Sequence, residues 1–237
     1  MAVMDPEARR AENLLKRRAR RIAKRLSEMY PAAECALTHK SALQLLVATI
    51  LSAQCTDRRV NMVTPALFAR YPDAAAFAAA DPEELQQLIH STGFFRNKTR
   101  SILGACQRIE DEYGGKVPDN MEDLLTLPGV ARKTANVVLG TWFGKNEGVV
   151  VDTHVFRITY RLGLTPKKNP AFTERRLMAL LPRPGWTDFS HRVILHGRAL
   201  CPARNPACRS CALERMCRKN GVEPAAPPGR RALQRTS

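Results

Sequence analysis

The sequence has no apolar run long enough to cross a membrane as a helix. Its most apolar stretch, Leu45–Ala53, is about half the length a bilayer requires. No export signal is visible, because Asp5, Glu7, Arg9 and Arg10 interrupt the first apolar residues. No alternating apolar–polar run of useful strand length occurs, and there is no internal repeat or low-complexity linker. Acidic residues are outnumbered: 22 Asp and Glu stand against 38 Lys and Arg, a formal net charge of +16. That imbalance predicts a polyanionic partner, nucleic acid ahead of an anionic membrane surface. Of the 237 residues, 44% are hydrophobic and 25% charged, which are globular values and exclude wholesale disorder. Seven cysteines in a chain without an export signal argue against disulfides and raise metal or cluster ligation instead.

What is present reads as helix after helix. Residues 6–29 form a basic amphipathic helix, with Leu15, Ile22, Leu26 and Met29 on one face and nine Lys and Arg from Arg9 to Arg25 around the rest. That cationic face either is a solvated surface or touches phosphates. Ser41 and Gln44 fit a capping box ahead of a nearly all-apolar, central helix. Thr56 or Asp57, Asp73, Asp81 with Pro82, Asp152, and Asn169 with Pro170 mark further helix starts. Pro65 is expected to kink or end the helix that contains it. Further helices are expected after Gly93, over 119–126, over 131–143 and over 186–200. The tail after Gly221, rich in Pro, Ala and Arg, is expected to be disordered. The fold class is all-α.

Cys201, Cys208, Cys211 and Cys217 close the folded part with the spacing C-x6-C-x2-C-x5-C. Four thiolates so close together can surround one tetrahedral ion or one cubane cluster. Zinc ribbons take ligands as two CxxC-type pairs, and only one such pair exists here. The spacing also departs from the ferredoxin run. From the residues alone, iron–sulfur and zinc both stand. Cys35, Cys55 and Cys106 sit singly in helical, mostly apolar surroundings and read as core thiols.

Leu127-Pro128-Gly129-Val130-Ala131-Arg132-Lys133-Thr134 resembles the turn of a helix-hairpin-helix motif. Gly129 lets backbone approach a phosphate closely, and the amides of the next helix favour an anion. Such a device grips a nucleic acid backbone without reading sequence. Lys133 falls in the first turn of that helix, either as a phosphate contact or as a nucleophilic amine activated by surrounding positive potential. Val149-Val150-Val151-Asp152-Thr153-His154 runs from an apolar segment into a helix start, where Asp152 can cap and stay ionised.

The hairpin with Lys133, the VDTH segment, the LSAQ-x-TD segment Leu51–Asp57 and the cysteine ending together resemble the endonuclease III family of bifunctional, helix-hairpin-helix DNA glycosylases. The likeness covers roughly residues 30–220. It implies a [4Fe-4S] cluster on Cys201, Cys208, Cys211 and Cys217. It also implies two helical domains with DNA in the cleft between them. One is a six-helix domain over 35–147, and the other is a cluster domain that joins 1–34 to 148–220. The implied catalytic residues are Lys133 and Asp152. The implied DNA contacts are Gln54 and Phe94 as fillers of the gap left by a flipped nucleotide, Leu127, Gly129, Val130, Ala131, Arg132 and Thr134 at the hairpin, and His154 and Arg204. The chain departs from the family pattern at Ala131, where a second Gly is usual, and at Phe94, where an aliphatic residue is usual. The implied partner is double-stranded DNA carrying oxidised pyrimidines or abasic sites. The protein is expected to be a monomer in a prokaryotic cytoplasm, at the nucleoid, with no membrane association.

On that likeness, Lys133 attacks the sugar C1′ of a flipped nucleotide, and the resulting imine leads to β-elimination. Two other classes remain open. A non-catalytic helix-hairpin-helix module would not need both Lys133 and Asp152. A monofunctional glycosylase would keep the Asp and lack the Lys.

Overall fold

A computed structural model describes residues 5–222, so from residue 223 onward the expected disordered tail lies outside the described residues. Among the described residues all regular structure is helical. The α-helices are α1 (Pro6–Met29), α2 (Ala42–Leu51), α3 (Asp57–Arg70), α4 (Ala74–Ala78), α5 (Pro82–Ile89), α6 (Phe95–Tyr113), α7 (Met121–Thr126), α8 (Arg132–Thr141), α9 (Thr153–Arg161), α10 (Pro170–Leu180) and α11 (Trp186–Ala199). Local chemistry sets most of their starts. Ser41, Thr56, Asp73, Asp81, Asn120, Asp152 and Asn169 each accept a hydrogen bond from a backbone N–H in the first turn that follows. At Ser41 the box is shifted by one residue: Gln44 Oε1 accepts from the Lys40 N–H, not from that of Ser41.

Pro65 does not end α3, so of the two expected outcomes, a kink or an end, the end does not occur. Its ring lies on the exposed side of the helix, while Val60, Thr64 and Leu67 bury the other side. Burial of that stripe outweighs one missing backbone hydrogen bond.

Two apolar cores organise the chain. The first gathers α2 with residues of α3 to α8, from Leu37 to Val150, and is centred on the buried α2. The second gathers Ala19, Ile22 and Leu26 of α1 with residues of α9, α10 and α11, and reaches Leu213. Val149 belongs to the second core and its neighbour Val150 to the first. The chain ahead of Asp152 therefore runs along the seam. Arg198 of α11 also crosses it, donating to Asp57 of α3 at 2.5 Å.

Candidate functional site

The hairpin between α7 and α8 is braced from below. The Leu127 and Val130 side chains are buried in the first core, so only their backbone is available at the surface. Gly129 has φ +77°, and a Cβ there would meet Ser101 Cβ of α6 at 2.5 Å. The glycine is thus required by the protein's own packing on α6, a reason not expected from sequence. Gly104 of the same helix makes room for Pro128. Ala131 takes the N-cap position of α8 in an extended conformation, φ −93° and ψ 168°, so alanine fits where the family usually has glycine. No side chain caps this helix. Its first amides are left for an external acceptor, and the helix dipole makes an anion favourable there.

Lys133 is exposed in the first turn of α8, with Thr134 half-buried behind it. Arg132 points elsewhere: its Nε donates to both carboxylate oxygens of Glu174 at 3.0 Å. Asp152 is half-buried, and its Oδ1 accepts from the Val155 N–H at 2.8 Å. Among the described residues its other oxygen takes no hydrogen bond. His154 accepts from Arg157 through Nδ1 at 3.1 Å, and burial lowers its pKa. The same Arg157 nitrogen donates to the Cys201 carbonyl at 3.0 Å, which ties the start of α9 to the cysteine loop.

Gln54 and Phe94 stand on two separate loops with one feature in common. Each is exposed and non-glycine, yet sits in the left-handed region, at φ +52° and +48°. Phe94 is 61% exposed, so it is not the core anchor that a Phe most often is.

The four C-terminal cysteines line one cavity with Ile158, Leu162, Leu200, Pro206 and Leu213. All seven cysteines are free. Donors are aimed at three of the four sulfurs. Leu213 N–H meets Cys211 Sγ at 3.4 Å, Lys219 N–H meets Cys217 Sγ at 3.3 Å, and Arg161 meets Cys201 Sγ at 3.2 Å. Such donors favour the thiolate, which is the form that binds iron or zinc. Among the described residues no group of three or more His, Cys, Asp or Glu is arranged to hold a single metal ion. The donor set and its apolar cavity fit an iron–sulfur cluster. Arg161, 5% exposed, also donates to the carbonyls of Pro202 and Ala203 at 2.7 Å and shapes the loop that presents exposed Arg204. Arg161, Lys98 and Glu174 were not singled out from the sequence. Their only signal there is a charge set among apolar helical residues.

An all-helical chain with an open-ended hairpin helix, a lysine in its first turn and a four-cysteine cavity belongs to a recognisable class. The family model described as "HhH-GPD superfamily base excision DNA repair protein" matches residues 47–183. Endonuclease III of Synechocystis sp. is 59% identical over 202 residues, covering 85% of this chain and 92% of that protein. The Bacillus subtilis endonuclease III is 43% identical over 196 residues, covering 82% and 89%. A solved structure described as a trapped endonuclease III–DNA covalent intermediate superposes with a TM-score of 0.82 at 42% identity, covering 86% of this chain and 96% of that one. The chain belongs to the endonuclease III family.

Proposed function

We propose that this chain is a bifunctional DNA N-glycosylase and abasic-site lyase of base excision repair that acts on oxidised pyrimidines in duplex DNA. The observation that carries the reading is Lys133, exposed in the first turn of a helix whose amino end no side chain caps. The hairpin amides hold a phosphate beside it, without reading base sequence. The target nucleotide leaves the stack, and Gln54 and Phe94 fill the space it vacates. Lys133 Nζ attacks C1′, and the glycosidic bond breaks with its electron pair leaving on the base, which takes up a proton. One proton leaves the attacking nitrogen, and the C1′–O4′ bond then breaks with its electron pair going to O4′, which takes up a proton, so that the opened sugar is joined to Nζ by a protonated imine. Removal of a C2′ proton then expels the 3′ phosphate. Asp152, held at the α9 cap, stabilises the cationic sugar in the first step.

Cys201, Cys208, Cys211 and Cys217 would hold a [4Fe-4S] cluster. When bound, it supplies a rigid node that fixes the chain from Cys201 to Cys217. The two apolar cores support a division into a six-helix domain, 35–147, and a cluster domain, 1–34 with 148–220, with DNA in the cleft between them. The protein acts as a monomer in the cytoplasm. Among the described residues no helix is long and apolar enough to cross a membrane. The test is borohydride trapping on duplexes that carry different damaged bases. A covalent adduct with an oxidised pyrimidine supports the reading, and its absence with every lesion overturns it.

A further inference from the structure

Lys98 lies in the first turns of α6 and is 4% exposed. An ammonium withdrawn from water this far needs strong partners, and a carboxylate is the usual one. Lys98 has two backbone carbonyls instead. Its Nζ donates at 2.8 Å to Leu51 O and at 2.8 Å to Thr92 O. Burial also lowers its pKa, a sign that the desolvation is not fully repaid.

The positions of those two carbonyls give the lysine its meaning. Leu51 is the last residue of α2, where helix carbonyls lack intrahelical partners and the dipole favours a cation. Three residues later the chain reaches Gln54. Thr92 ends the turn His90–Thr92, and two residues later the chain reaches Phe94. One ammonium therefore bridges the bases of the two loops whose exposed tips are Gln54 and Phe94. Both tips are held at positive φ, a conformation that costs energy for a non-glycine residue and persists where the surroundings over-determine it. The Phe94 carbonyl, in turn, accepts from the Asn97 and Lys98 N–H groups at 3.1 Å, so Lys98 holds the second loop through both its backbone and its side chain.

We propose that Lys98 is a positioning residue that locks the Gln54 and Phe94 loops to each other, so that the two side chains enter the DNA stack as one preset unit. This rests on the reading of Gln54 and Phe94 as gap fillers. A preset pair loses no loop entropy at the moment of insertion, and it fixes the spacing of the two tips.

The test compares abasic-site cleavage on one oligonucleotide as a duplex and as a single strand, since a single strand has no stack to open. Lys98→Met keeps the apolar stem and removes the donors. Its duplex rate should fall on the order of 10²-fold, the scale for a misplacement of about 1 Å. Its single-strand rate should fall far less. Equal losses on both substrates would make Lys98 a folding residue and overturn the proposal, as would no loss on either. Gln54→Ala and Phe94→Ala serve as references. If neither reference lowers duplex cleavage more than single-strand cleavage, the gap-filling reading fails, and this inference with it. If they do and Lys98→Met does not, only the role of Lys98 fails. Should Lys98→Met not fold, the Gln54→Ala/Phe94→Ala double variant decides. Locked tips give a double loss smaller than the product of the single losses, whereas a multiplicative loss means independent loops.

Discussion

Arg132 and Glu174 meet with the guanidinium Nε 3.0 Å from each carboxylate oxygen, and Asn136 donates to the same carboxylate at 2.9 Å. Glu174 is 8% exposed and lies on α10, so the pair fastens the hairpin helix α8 to the second core. The cation beside exposed Lys133 is therefore committed within the protein. Arg132→Ala leaves a buried carboxylate short of a partner and should destabilise the fold by about 1–3 kcal/mol. The salt dependence of binding to undamaged duplex should stay unchanged. A slope of log K against log[salt] flatter by about one unit would return Arg132 to the residues that touch phosphate.

The [4Fe-4S] cluster proposed for Cys201, Cys208, Cys211 and Cys217 predicts about four iron and four sulfide per chain and a yellow-brown protein. Cys211→Ser should lose visible absorbance and solubility together, because Leu213 and the turn that follows are organised around that sulfur. Stoichiometric zinc and a colourless protein would overturn the assignment.

The cationic face of α1 predicts an electrostatic share of DNA binding. Arg18 donates to the Leu162 carbonyl and Ala19 is buried, so truncating the helix would damage the second core. Substitution is the cleaner probe. Arg9, Arg10, Arg17 and Arg20 are all exposed. Replacing the four by Gln should flatten the salt slope by up to about 0.9 for each phosphate that is no longer neutralised. An unchanged slope would make the face a solvated surface only.

The helix starts were legible because caps are local. Asp81–Pro82 and Asn169–Pro170 need no knowledge of the rest of the chain. The fate of Pro65 was not legible, since it depends on which side of α3 meets the core. The reason for Gly129 was not legible either, because Ser101 reaches it from another helix. Lys98 and Arg161 were hidden most deeply. Their partners are chiefly backbone carbonyls, which have no residue identity, and Leu51 is 47 positions from Lys98. The four cysteines stood out by their spacing, whereas Lys133 and Asp152 became catalytic candidates only through the likeness of their segments to the endonuclease III family, since by position alone the lysine reads equally as a phosphate contact and the aspartate as a helix cap.

His191 of α11 faces Thr141 of α8 at 3.4 Å, across the two cores. Burial depresses its pKa below the ordinary 6.5; Arg192 adds to this, while Asp188 and Glu34 oppose it. The unfolded chain binds the proton more readily than the folded one. The contribution of His191 is therefore complete above about pH 6.5 and is lost as pH falls through its lower folded value. Tm should fall between about pH 7 and pH 5, and the fall should be smaller in His191→Gln. An identical pH profile for both proteins would remove His191 from the account.

The sharpest division of labour is between Lys133 and Asp152. If Lys133 is the nucleophile, Lys133→Gln should abolish borohydride trapping and strand cleavage while damaged DNA still binds. The substitution lies on an exposed turn, so the hairpin should fold. A lysine that only touched phosphate would cost about one unit of salt slope and leave the chemistry in place. Asp152→Asn should behave differently. Asn ranks with Asp as a helix cap, so the bond to Val155 N–H survives and stability should change little. The sugar cation, however, loses its carboxylate, a loss worth roughly 10²–10³ in rate for one electrostatic stabiliser. At a preformed abasic site the base has already left. Asp152→Asn should therefore keep more lyase than excision activity, whereas Lys133→Gln spares neither. Trapping by Lys133→Gln would end the nucleophile assignment. Loss of Asp152→Asn activity through unfolding alone would reduce the aspartate to its cap.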